Sequence, residues 1–312
     1  RIMNDVQIDS RNKKRSLIPR ALELKSKNEF SAQFLIHGLN VGFSYDNIEM
    51  KNWVERILNS YNVLETTNHS SSEPLDFCVS WQSPFGVSES ELSHWNEDPI
   101  SDLEISRHSN CEVAIQRDFM GIAKNEKLIS VYVRPNLDDG FYNALRWLMP
   151  KFLLRKDCIV MHSSCFVGQG DRAHMFIGPS GVGKTTTVSR IKDRLILGDD
   201  MILITIENST AFAETPILGQ NPKFKGRAGK KFPINGFYFL EQAGDLEKTR
   251  LSGVAAMRRF FMSLMYPNWT HVSHQEVQKL TQLTERFLAT VPSWNLKLNL
   301  NTPFLGVVDG ND

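Results

Sequence analysis

Apolar and polar positions along this chain switch between two periods. From Phe30 they alternate one by one, as in a hairpin passing through Leu39, Asn40, Val41 and Gly42; over residues 50–58 they take the spacing of an amphipathic helix. Strand-like runs recur at 77–81, 112–122 and 128–133, which predicts an α+β arrangement for this part of the chain. Between them, residues 83–110 are polar and acidic, with Glu89, Glu91, Glu97, Asp98, Asp102 and Glu104, and read as a long loop or recognition flap.

From residue 141 to 155 the apolar spacing is helical, with Pro150 expected to kink or end the helix. The continuous apolar run from Cys158 to Val167 predicts a buried strand, which a Gly168-Gln169-Gly170-Asp171 turn joins to a second strand at 173–177. Further on, 237–240 reads as a strand, 253–265 and 275–289 as helices, and 296–300, strictly alternating, as a half-exposed edge or terminal strand. A boundary is expected near 136. Residues 1–136 would form a smaller α+β region suited to substrate recognition, and 137–312 an α/β nucleotide-binding core of mixed sheet and flanking helices.

The 312 residues are 41% hydrophobic, enough for one large core or two modest ones. A net charge of +1 gives no electrostatic case for a nucleic-acid or membrane partner, although Arg11, Lys13, Lys14, Arg15, Arg20, Lys25 and Lys27 make a basic arm that could dock an acidic peptide. No apolar stretch approaches the roughly 18 residues of a membrane span and no secretory signal is visible, so a cytoplasmic address is expected. Cys78, Cys111, Cys158 and Cys165 lack metal-binding spacing and lie in strand-like runs, which predicts buried free thiols.

The sharpest chemical signal is Gly178-Pro179-Ser180-Gly181-Val182-Gly183-Lys184-Thr185, followed by Thr186, a full match to the phosphate-binding pattern G-x-x-x-x-G-K-[ST]. Its glycines allow positive φ angles, so backbone N–H groups can converge on a phosphate. Lys184 adds a point charge at the β and γ oxygens, and the Thr185 hydroxyl can ligate Mg²⁺. An apolar strand precedes the loop, and Val188, Ile191 and Leu195 mark a helix expected over 185–195, whose N-terminus would face the phosphates. Asp199 and Asp200 then stand fifteen and sixteen residues beyond Lys184, far enough to cross a helix and return along a neighbouring strand. Adjacent strand residues face opposite ways, so only a turn or strand end could aim both at one site, one toward the metal and one as a general base. His162, in the strand before the loop, would lie near the site if the two strands pair; a hydrogen-bonded core histidine is the alternative. A second cation is expected at the γ-phosphate, with Arg227 in the basic loop 223–231 chosen first and Arg258 or Arg259 second. Trp147, Tyr238, Phe239 and Trp269 could stack on a base, although most should be core.

With His162, the phosphate loop and Asp199-Asp200 in this order and spacing, residues 155–205 resemble the HPr kinase/phosphorylase family. They are similar above all to its shorter relatives encoded beside peptide-modification enzymes, some of which phosphorylate a serine of lasso-type peptides. The resemblance is weaker through 215–219, 237–242 and 291–292. It implies the nucleotide fold of phosphoenolpyruvate carboxykinases, Lys184 and Thr185 as phosphate-binding lysine and magnesium hydroxyl, Asp199 as general base, Asp200 as metal ligand and His162 as the partner that tunes the base. Pro179 and Thr185 depart from the parent enzyme, which has an acidic residue and Ser there; this argues against HPr itself as substrate. The function expected is an ATP- and Mg²⁺-dependent kinase acting on a serine hydroxyl of a peptide or small protein. Two alternatives are a nucleotide-dependent switch that transfers no phosphate and a kinase of a small-molecule alcohol; homo-oligomerisation is left open.

Overall fold

The computed structural model describes residues 30–66, 75–80, 103–108, 111–116, 118–124, 128–134, 138–219, 223, 228–266, 269, 272–299 and 301–310. The basic arm, most of the acidic stretch and Arg227 lie outside these residues. The chain divides into two compact units, Arg1–Leu148 and Met149–Asp312, the division falling inside a helix.

In the first unit, β1 (Phe30–Ile36) and β2 (Leu39–Tyr45) pair antiparallel across His37-Gly38, both at positive φ (49° and 76°), a two-residue turn that matches strand twist. Helix α1 (Ile48–Ser60) starts where Asn47 accepts a hydrogen bond from the Met50 N–H (2.8 Å), and it buries Met50, Trp53, Val54, Ile57 and Leu58 along one stripe. The strands β3 (Leu75–Ser80), β4 (Glu104–His108), β5 (Cys111–Ile115), β6 (Phe119–Lys124) and β7 (Leu128–Val133) complete a seven-stranded sheet of order β1-β2-β3-β7-β6-β5-β4. Phe43 anchors its core, with the rings of Phe34, Phe77 and Phe141 centred 5.8, 5.3 and 5.8 Å away.

Two expectations for this unit are corrected. The run 112–122 is a hairpin of β5 and β6, not one strand, because polar Gln116 and Asp118 interrupt it and the Gln116 N–H closes the turn on the Phe119 carbonyl (3.0 Å). The acidic stretch 83–110 is not loop throughout: its end forms β4, an edge strand whose charges suit an edge. Helix α2 (Asp138–Arg155) continues through Pro150, so of the two outcomes expected there, a kink or an end, the proline does not end it. Buried Leu148, Met149, Phe152, Leu153 and Leu154 flank the proline, and their burial offsets its cost of about 3 kcal/mol.

The second unit is built on β8 (Cys158–Val167), β9 (Ala173–Ile177), β10 (Leu195–Gly198), β11 (Met201–Glu207), β12 (Thr210–Glu214), β13 (Phe232–Gln242), β14 (Glu247–Arg250) and β15 (Ser293–Leu298). They form an eight-stranded mixed sheet in which β9 pairs antiparallel with β8 and parallel with β13, and β13 pairs parallel with β15. The carboxyl ends of β9, β13 and β15 therefore share one edge. Strand alternation divides the core between two faces. Phe237 and Phe239 pack toward α4 (Gly253–Met262) and α5 (His274–Thr290), against Phe260 and Phe287. Tyr238 and Leu240 pack toward α3 (Lys184–Ser189) and α6 (Leu305–Asp309), with Val188, Phe304 and Val308.

The alternating segment near 296 is not an edge: β15 lies between β13 and β14, sending Leu296 and Leu298 into the core. Helix α3 is only six residues long, against the eleven expected, because Thr185, Thr186, Thr187 and Val188 are β-branched and hold a helix poorly. The four cysteines are free and buried, and burial raises the Cys165 thiol pKa far above its ordinary value. Among the described residues no helix is long and apolar enough to cross a membrane.

Candidate active site

The phosphate loop leaves the carboxyl end of β9 at the edge shared with β13 and β15, where open α/β sheets place their ligands. Gly181 (φ 80°) and Gly183 (φ 102°) take the left-handed backbone that a side chain would strain. Gly178 does not; there the constraint is space, since a Cβ would lie 3.0 Å from Val182 Cγ1 and 3.4 Å from the Leu240 carbonyl. Lys184 is 5% exposed. Its Nζ donates to the carbonyls of Gly178 (2.8 Å) and Pro179 (3.0 Å), so the ammonium is held across the loop it serves. Burial lowers its pKa, and Asp200 acts against that shift. With α3 so short, backbone N–H groups of the loop and this ammonium, more than a helix dipole, are the groups available to an anion here.

Asp199 and Asp200 occupy the turn between β10 and β11, as the spacing requires. The turn is tied once to the loop and once to β8. Thr185 Oγ1 donates to the Asp199 carbonyl (3.0 Å), and the Ser163 N–H donates to the Asp200 carbonyl (2.9 Å). Ser164 Oγ donates to the Lys184 carbonyl (3.2 Å), fixing α3 to β8. His162 stands on β8 opposite Met201, and its Nδ1 is 3.2 Å from Asp200 Oδ1. The structure thus brings His162, Lys184, Thr185, Asp199 and Asp200 to one corner, but with one change: the imidazole meets Asp200, whereas the resemblance paired it with Asp199. Burial raises the Asp199 pKa, its backbone hydrogen bond opposes this, and the Asp200 carboxylate adds to it.

Several contributors carried no sequence signal. Gln242, at the end of β13, places Nε2 3.4 and 3.5 Å from the carbonyls of Gly181 and Val182, yet an isolated glutamine belongs to no motif. Ser263, just past α4, accepts a hydrogen bond at its carbonyl from the His162 N–H (2.7 Å), a contact only tertiary structure creates. Of the alternative cations, Arg259 binds Asn295 Oδ1 (2.5 Å) near Glu241 (4.0 Å), while Arg258 is exposed. Trp147, Tyr238 and Phe239 are buried in the cores, and Trp269 is 42% exposed against Phe261 and Tyr266.

A glycine-built phosphate loop between a parallel strand and a helix, at the carboxyl edge of a mixed sheet, makes this unit a P-loop nucleotide-binding α/β fold. Residues 134–213, which include the loop and the Asp199-Asp200 turn, match the family model of phosphoenolpyruvate carboxykinase (ATP type). Two ATP-type phosphoenolpyruvate carboxykinases of Urochloa panicoides are each 29% identical over 96 residues, a stretch that is 30% of this chain but 15% and 14% of theirs. The HPr(Ser) kinase/phosphatase of Coxiella burnetii superposes with a TM-score of 0.28 at 11% identity, over 48% of this chain and 86% of that one, a likeness too slight to argue from.

Proposed function

We propose that this chain is an ATP- and Mg²⁺-dependent phosphotransferase that moves the γ-phosphate to a serine hydroxyl of a peptide or small protein. The observation that carries the reading is the Thr185 hydroxyl bonded to the Asp199 carbonyl, since it ties the end of the phosphate loop to the turn that bears both aspartates. Mg²⁺ takes one or two carboxylates and completes its shell with phosphate oxygens and water, so Asp200 and Thr185 suffice as protein ligands. Among the described residues no three His, Cys, Asp or Glu side chains cluster as a metal cage, and this chemistry requires none.

Asp199 is the proposed general base. Its raised pKa suits a group that must accept a proton from the acceptor hydroxyl. Lys184 neutralises the phosphate tail, and His162 orients Asp200. Arg227 is the proposed cation at the γ-phosphate; among the described residues that follow it in the chain, the Gly229 N–H donates to buried Glu214 (2.8 Å) and Lys231 pairs with Glu207. The similarity of residues 134–213 to ATP-type carboxykinases supports ATP as the donor.

Incubation with γ-labelled ATP, Mg²⁺ and serine peptides tests the reading. Label should appear on peptide serine with the native protein and vanish with Asp199→Asn, while Mg-ATP still binds. Label released only as inorganic phosphate would favour a hydrolytic switch instead.

A further inference from the structure

Helix α4 ends beside His162, through the Ser263 carbonyl and a bridge between Leu264 and Met161. Its outward stripe is unusual for a solvated helix. Val254, Arg258 and Met262 follow at intervals of four and so share one face. Val254 is 86% exposed, Met262 is 76% exposed, and the exposed Arg258 between them forms no ion pair with any described residue. At the start of the same helix lies a cleft of about 490 Å³, lined by Leu251, Val254, Met257 and Leu288 together with Arg250 and Glu285. An apolar cleft at one end, a cation in the middle and a catalytic corner at the other end make one continuous strip.

We propose that this strip docks the acceptor segment, and that the acceptor is a peptide with an apolar anchor residue about four positions from its serine and an acidic residue between them. The spacing follows from geometry. Val254 to Ser263 spans about 13 Å of helix at about 1.5 Å per residue, which an extended peptide covers in about four residues at about 3.3 Å each. The acidic residue is inferred from Arg258, whose charge lies midway along the strip. The inference rests on the phosphotransfer reading above and assigns the class of its substrate.

Serine peptides with one Leu placed two, four or six positions away, and with Asp or Lys between, test it on native protein and on Val254→Asp, Met262→Asp and Arg258→Glu. All three substitutions are at exposed positions, and none lies in the phosphate loop or the Asp199-Asp200 turn. Native protein should favour the four-residue spacing with Asp. The apolar-to-Asp variants should raise KM tenfold or more with kcat and Mg-ATP affinity unchanged, and Arg258→Glu should reverse the preference to Lys. Equal KM across spacings and variants would overturn the proposal, as would phosphorylation of small alcohols alone. A concentration-dependent dimer abolished by Met262→Asp would overturn it as well, by giving the strip to a second copy of this chain. Anisotropy of a labelled peptide with Ala for Ser reads docking independently, so loss of transfer with intact, spacing-dependent docking would indict the phosphotransfer reading and leave the strip standing.

Discussion

His162 Nδ1 stands 3.2 Å from Asp200 Oδ1 and forms no hydrogen bond or ion pair with Asp199. The two aspartates are neighbours in sequence, but the turn at the strand end brings only Asp200 to the imidazole, which is therefore a partner of the carboxylate proposed for Mg²⁺. A group that orients a metal ligand acts on metal affinity, and removing such a partner typically costs about 10- to 100-fold. His162→Asn should therefore raise the Mg²⁺ concentration needed for half-maximal transfer by about that factor, and leave the pH inflection of the reaction in place. Mg²⁺ titrations at several pH values separate the outcomes: a displaced inflection with unchanged Mg²⁺ demand would return His162 to Asp199.

Asp199 has the opposite diagnostic. Burial raises its pKa and Asp200 adds to the shift, so the proton-accepting form is lost as pH falls through a value above that of an ordinary aspartate. The pH profile of kcat/KM should show its acid limb there, activity rising with pH, and bound Mg²⁺ should draw the limb downward. Asp199→Asn should cost about 10²- to 10⁴-fold in kcat, with Mg-ATP affinity by calorimetry unchanged. A variant with native kcat removes Asp199 from the chemistry.

Gly183 tests the phosphate loop without touching a charge. At φ 102° an added Cβ is strained, costing on the order of 1–2 kcal/mol, and the N–H groups aimed by that backbone would be displaced. Gly183→Ala should weaken Mg-ATP at least tenfold. Gly244→Ala, where a Cβ meets nothing within 4 Å, should not. Equal affinities in the two variants would show that the loop does not grip the nucleotide.

The phosphate loop, the Asp199-Asp200 turn and the β8–β9 pairing were all legible in the sequence because each is local: a fixed spacing of glycines, a turn after an apolar run, a hairpin at Gly168-Asp171. What escaped depends on partners far away in the chain. The His162 contact is decided by which of two adjacent carboxylates a strand end turns toward β8. Gln242 and Ser263 act through carbonyls supplied by other elements. The length of α3 was misread because spacing at Val188, Ile191 and Leu195 outweighed the β-branched residues that stop the helix after Ser189. The inner position of β15 was hidden because alternation gives the faces of a strand but not its neighbours.

His174, 2% exposed on β9, carries a pH signature that the phosphate chemistry does not share. Its Nδ1 is 3.3 Å from the Tyr238 hydroxyl and its Nε2 is 3.3 Å from Asp309 Oδ1, an oxygen that makes no hydrogen bond. Distance alone would make this an ion pair, yet burial holds the His174 pKa at about 4, with Asp309 opposing the shift and Lys248 adding to it. Burial prevails because Asp309 already has a permanent cation, Arg194, at 3.3 Å from Oδ2. An unfolded histidine takes a proton near pH 6.5, and the folded one does not until about pH 4. Across that window the unfolded state binds more protons, so stability falls as pH falls, by an amount on the order of 3 kcal/mol in total. His174→Gln cannot titrate and should lose that part of the slope. Urea unfolding at intervals from pH 7 to pH 4 should therefore give a native curve that drops more steeply than the variant's. Parallel curves would mean that His174 is protonated in the folded protein and paired with Asp309 after all.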